Sequence, residues 1–207
     1  MNNLLLEYFP FKVKPDLVRE AIDANSGKLI VSGVLQRANA KNQNGRIYKR
    51  PILEREINRY TQNEISQRRA LRELDHSDTS IVNLKNVSHN ILECWWDGDD
   101  LCGKIEILNT PAGNILKELF KAGITVGISS RGMGSVKPLS EGDETMEVQS
   151  DFELVTFDFV SNPSTHGAFM KPVAESISES VVTHKKDNDV DKLLRDILCE
   201  MSGVCCI

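Results

Sequence analysis

Residues 123–134 read Gly-Ile-Thr-Val-Gly-Ile-Ser-Ser-Arg-Gly-Met-Gly. Ile124, Thr125, Val126 and Ile128 predict a strand, because β-branched side chains pack well on a pleated surface. Ser129 and Ser130 follow at its end. The flanking glycines let a neighbouring backbone approach the hydroxyls closely. A serine so placed can be a nucleophile, or it can simply mark where the chain leaves a sheet. The residues around it must decide.

Working outward, Thr145–Val160 continues the β-rich pattern in "TMEVQSDFELVTFDFV" until Pro163 breaks it. Upstream, Thr110-Pro111 followed by an apolar-periodic run and Gly123 predicts one complete helix, with Thr110 as N-cap and Gly123 as stop. Residues 86–96 and 101–108 read as the two strands of a hairpin, turning at Asp97-Gly98-Asp99-Asp100. A strand is predicted over Gly27–Leu35 and a helix from Pro51, joined by an Asn- and Gly-rich loop. Residues 69–75 fit a short strand or a helix end equally. The fold class is α+β, in one domain over residues 1–172. Beyond it, 173–207 turns to Ser, Glu, Lys and Asp and reads as a flexible C-terminal tail that buries too little apolar area to fold alone.

The 207 residues carry a net charge of -5, which argues against a nucleic-acid surface as the main function. No apolar run approaches the roughly 20 residues that span a bilayer, so no membrane partner is expected. The five cysteines match no zinc spacing and suit a reducing cytoplasm.

A hydrolytic serine needs a base, and the base needs an orienting group. Of four histidines, His184 lies in the polar tail and His89 inside a strand, where a structural role is the commoner one. His76 ends "RELDH" with acids on both sides, and is the candidate base. Asp75, His76 and Asp78, with His89, also offer donors for a hydrolytic metal, but no second ligand cluster accompanies them. The orienting group is open between Asp158, Glu153 and His166. Asp158 lies between Phe157 and Phe159, where a buried acid requires a partner.

In this order the boxes "RELDH", "GISSRGMG" and "FDFVSNPS" resemble the prohead (procapsid) maturation proteases of tailed phages. "NAKNQNGRIYKRPILE" is similar to that family's Asn-x-Asn-x-Arg-x-Tyr segment, and "ILECWWDGDDLCGKIEIL" to its Trp-Trp hairpin. The likeness covers about residues 28–165. Arg72 departs from it where glycine is usual, as do Asp75 and Ser77, where Asn and Pro are usual. The resemblance implies a fold of the herpesvirus assemblin superfamily, a β-barrel of about seven strands with flanking helices. It implies a serine endopeptidase with Ser129 as nucleophile, His76 as base and Asp158 as orienting acid, and no cofactor or metal. Arg131 and Gly132 would shape a turn and help form the oxyanion site. Scaffold or core proteins and the major capsid protein would be its substrates, inside the prohead in the host bacterial cytoplasm, cut after Glu in Leu/Ile-x-Glu sequences. Homo-oligomerisation stays open. Within this chain, Glu179–Ser180 is the expected self-cleavage site. A non-catalytic scaffold component with the same fold is the alternative function.

Overall fold

The computed structural model describes residues 14–76, 81–140 and 144–174. Among them are three α-helices and ten short to medium strands. The tail from residue 175 on, with Glu179, Ser180 and His184, lies outside the described residues, as does Asp78.

The largest sheet has five strands in the order β10-β1-β5-β4-β3. Its centre is β1 (Leu29–Arg37) against the hairpin of β4 (Val87–Asp97) and β5 (Asp100–Ile107). The hairpin turns where the sequence predicts, with Gly98 at φ +57°. β3 (Leu71–Glu73) pairs with β4, so the ambiguous 69–75 segment is a strand. β10 (Lys171–Pro172) adds to the other edge. A second sheet joins β2 (Arg46–Ile47), β8 (Met146–Val148) and β7 (Val136–Pro138). The third is the antiparallel pair of β6 (Gly127–Met133) and β9 (Glu153–Val160).

The ladders therefore make three separate sheets, and no continuous ladder closes a barrel among the described residues. The physical reason lies at the seams. β3 is only three residues long, and beyond it Leu74 alone bridges to Phe159 of β9. On the other side of the pair, Gly127 bridges singly to Phe169.

Helix α2 (Arg50–Tyr60) buries Leu53, Ile57 and Tyr60, and it positions β9 through charge. Glu56 is buried, and it accepts from the Leu154 backbone N–H at 2.9 Å and from the guanidinium groups of Arg55 and Arg59. Those arginines donate in turn to the carbonyls of Ser150, Phe152 and Leu154. Helix α1 (Pro15–Ala24) was not predicted, although Pro15 at its start and the buried Val18 and Ala21 give the helical signal.

Helix α3 (Pro111–Lys121) starts as expected, with the Thr110 hydroxyl accepting from Gly113 N–H at 3.0 Å. A Cβ on Gly113 would lie 2.1 Å from the Leu108 carbonyl oxygen and 2.7 Å from that of Ser88. Helix propensity alone would make Gly113→Ala stabilising by about 1 kcal/mol. We expect the opposite, a loss of about 2 kcal/mol or more, because both obstacles are backbone. Urea unfolding of the two proteins measures the sign.

Candidate functional site

The site forms where the single Leu74–Phe159 bridge brings the end of β3 against β9. The Asp75 backbone N–H donates to the Phe159 carbonyl at 2.8 Å. Asp75 itself has φ +70°, a conformation that Asp and Asn tolerate better than other non-glycine residues. Its carboxylate accepts from the His76 N–H at 2.9 Å, closing the turn. Aspartate in place of asparagine therefore preserves this turn. The second departure, Arg72, is harmless for another reason. Its side chain is buried away from the histidine, with Nε donating to the Tyr60 hydroxyl at 2.7 Å and Nη2 paired with Glu64.

The turn sets the half-exposed His76 imidazole against Asp158, with Nδ1 2.8 Å from Oδ2. Asp158 has no solvent exposure. In the β6–β9 ladder it stands directly opposite Ser129, and directly opposite residues share a sheet face. Arg131, two residues on from Ser129, lies on that face too. Its Nε donates to Asp158 Oδ2 at 3.0 Å, and its Nη2 donates to Glu73 Oε2 at 2.7 Å. The Thr156 hydroxyl completes the set, donating to Asp158 Oδ1 at 3.0 Å.

Burial is the largest influence on the Asp158 carboxyl and on its own would raise its pKa. The His76 hydrogen bond, the Arg131 charge and the Thr156 hydroxyl outweigh it and hold the group below the usual carboxylate range. An ionised carboxylate only accepts, so the neutral imidazole carries its proton on Nδ1 and leaves the Nε2 lone pair free. That tautomer can act as a base.

Ser129 is buried, and its hydroxyl is 3.0 Å from that of Ser164. Among the described residues this is the hydrogen bond it makes, rather than one to His76. Sequence reading missed Ser164, which reaches the site because the loop after β9 packs tightly on β6. A Cβ on Gly127 would lie 2.6 Å from the Pro163 ring. The Asn42–Arg46 turn braces this loop, with Gln43 N–H donating to the Ser164 carbonyl at 2.9 Å. Asn42 holds the turn by accepting from the backbone of Asn44 and Arg46.

The remaining candidates lie elsewhere. His166 is exposed and lines a small surface cavity with Arg37, Lys41 and Asn42. Glu153 is exposed at the start of β9, opposite Met133. His89 is structural, as expected. Fully buried, it lies between the Ser88 hydroxyl and the Phe157 carbonyl, and burial pushes its pKa down to about 3. The expected turn at Arg131 and Gly132 is corrected: β6 runs on to Met133, and the irregularity there is a register shift between these two residues. The pairing partner of β6 continues alongside it, which leaves no room for the chain to reverse at Arg131.

The comparisons with known proteins agree on one family. Residues 14–180 match the family model described as "Prohead core protein serine protease". The "Prohead core protein protease" of Enterobacteria phage T4 is 31% identical over 166 residues, 79% of this chain and 76% of that protein. The solved structure of the bacteriophage T4 capsid assembly protease superposes with a TM-score of 0.62 at 29% identity, covering 66% of this chain and 84% of that one. This chain belongs to the prohead core protease family, and is a capsid maturation protease.

The depressed Asp158 pKa has a consequence for stability. A carboxyl whose folded pKa lies below its unfolded value stabilises above the unfolded value, about 4, and loses that contribution as pH falls through the folded one. Asp158→Asn should therefore show a shallower loss of stability than wild type as pH falls below about 4. Thermal melting across that pH range measures the difference in slope.

Proposed function

We propose that this chain is a serine endopeptidase that cleaves scaffold, core and capsid proteins inside the phage prohead during head maturation. Ser129 is the nucleophile, His76 the general base and Asp158 the orienting acid. The observation that carries this reading is the Asp158 carboxylate. It lies 2.8 Å from His76 Nδ1 and directly across the β6–β9 ladder from Ser129.

In the reaction, His76 Nε2 takes the Ser129 hydroxyl proton as Oγ attacks the scissile carbonyl. The imidazolium then gives that proton to the leaving amine, and water repeats the sequence to free the acid product. Backbone N–H groups beside Ser129 are the candidates for oxyanion donors. Ser164 holds the serine hydroxyl in a resting position, and substrate displaces it. Catalytic hydrogen bonds commonly tighten only in the complex. On the fold, the two single bridges, Leu74 to Phe159 and Gly127 to Phe169, support an assemblin-like barrel with open seams.

The substrate rule, cleavage after Glu in Leu/Ile-x-Glu, matches several tripeptides of the chain, Leu198-Cys199-Glu200 before Met201 among them, and we place self-processing at Glu179–Ser180, where a small residue follows. Two of the other matching tripeptides are protected by the fold. Glu73 is 1% exposed, and Ile91-Leu92-Glu93 is committed to β4.

Because the nucleophile and base act as one unit, Ser129→Ala, His76→Ala and the double variant should lose activity to a similar extent, about 10⁴-fold or more. Ser130→Ala should retain activity within about tenfold, since it projects to the opposite strand face. Asp158→Asn should cut turnover sharply while leaving the protein folded. Cleavage assays on core and capsid proteins measure all of these. Normal turnover in Ser129→Ala would overturn the assignment. Intact-mass analysis should show the chain trimmed after Glu179 in wild type and full length in Ser129→Ala. An untrimmed chain in active enzyme would reject that site.

A further inference from the structure

Two carboxylates and one guanidinium are packed together behind the imidazole. Glu73 is 1% exposed and Asp158 0%, and Arg131 donates to both. Glu73 is also fixed from its other oxygen, which accepts from the Asn83 backbone N–H at 2.9 Å. Arg131 alone would cancel the Asp158 charge, and a cancelled carboxylate stabilises an imidazolium poorly. With Glu73 present, the three groups sum to one negative charge.

We propose that Glu73 is a positioning residue that draws on the charge of Arg131, leaving Asp158 free to favour the protonated form of His76. This rests on the reading of His76 as the base. When His76 takes the serine proton, the buried set becomes neutral, which a poorly solvated environment favours. Arg131 in turn keeps Asp158 ionised and aims Oδ2 at Nδ1, while Glu73 keeps Arg131 from quenching it. The pair thus tunes how strongly the imidazole holds a proton, without touching substrate.

The described elements packed around His76 set the charge it meets. β3 contributes Glu73, the turn after it Asp75 and His76, β6 Arg131 and β9 Asp158. His89 on β4 interacts with Asp158 but is held neutral by burial. Asp75 adds a carboxylate beside the His76 backbone. Only Glu73 and Arg131 differ between the variants below.

The test is a titration of the His76 imidazole by nitrogen–proton NMR in the full chain carrying Ser129→Ala, which blocks self-processing and removes no charge. Adding Glu73→Gln should lower the His76 midpoint by about one pH unit. Adding Arg131→Met should raise it by a similar amount, and the two together should return it to within about 0.3 unit of the parent. Arg131→Lys, which keeps the charge, should leave the midpoint close to the parent. A purely structural role for Glu73 predicts no such opposite, cancelling shifts. An unmoved or raised midpoint in Glu73→Gln, or equal shifts in Arg131→Lys and Arg131→Met, would overturn the proposal. If Glu73→Gln does not fold, Arg131→Met decides alone, an upward shift supporting the pair and no shift rejecting it. Failure of the underlying reading shows separately, as undiminished proteolysis by the Ser129→Ala chain.

Discussion

A carboxylate with no access to water, Asp158 in the middle of β9, constrains everything around it. Burying it uncompensated would cost several kcal/mol. The fold meets that demand by converging three donors on it from three places in the chain: His76 from the turn after β3, Arg131 from β6, and Thr156 from β9 itself. Each donor is placed by backbone pairing that has nothing to do with chemistry. The Asp75–Phe159 hydrogen bond aims the histidine, and the β6–β9 register aims the arginine and the serine. The site is a by-product of satisfying one buried charge.

The same logic explains why β9 is anchored so heavily. Glu56, Arg55 and Arg59 of α2 tie its first residues down, and Phe157 and Phe159 pack into the core on the face opposite Asp158. Gly127 and Pro163 bring the following loop over β6, delivering Ser164 to Ser129. The Ser129 hydroxyl is therefore held from the loop side, while His76 lies against Asp158.

Much of this was legible in the sequence. The hairpin, the Thr110-capped helix and the β6 and β9 strands follow from local patterns and turn residues, while the ordered boxes single out Ser129 and His76 and leave the orienting group open between Asp158, Glu153 and His166. Alternation alone would have turned Asp158 to solvent, since it lies between two phenylalanines. Both faces of β9 are covered, and only tertiary structure reveals that. Glu73 and Ser164 were missed as site residues because what recruits them is register and loop packing across 58 and 35 residues of separation, which leaves no local periodicity. Arg131 was expected in a turn, since a Ser-Arg-Gly sequence suits one. The continuing partner strand overrode that preference. A count of strands likewise does not report where a ladder thins to a single bridge, as it does at Leu74 and Gly127.

The central claim is that Ser129 is the nucleophile, activated by a histidine that Asp158 orients. A fluorophosphonate probe reacts covalently with an activated serine, and peptide mapping of the labelled chain locates the adduct. The account predicts one adduct, on Ser129, formed by wild-type protein and lost in His76→Ala. An adduct on Ser130, or proteolytically active protein that carries no adduct after exhaustive labelling, would contradict it.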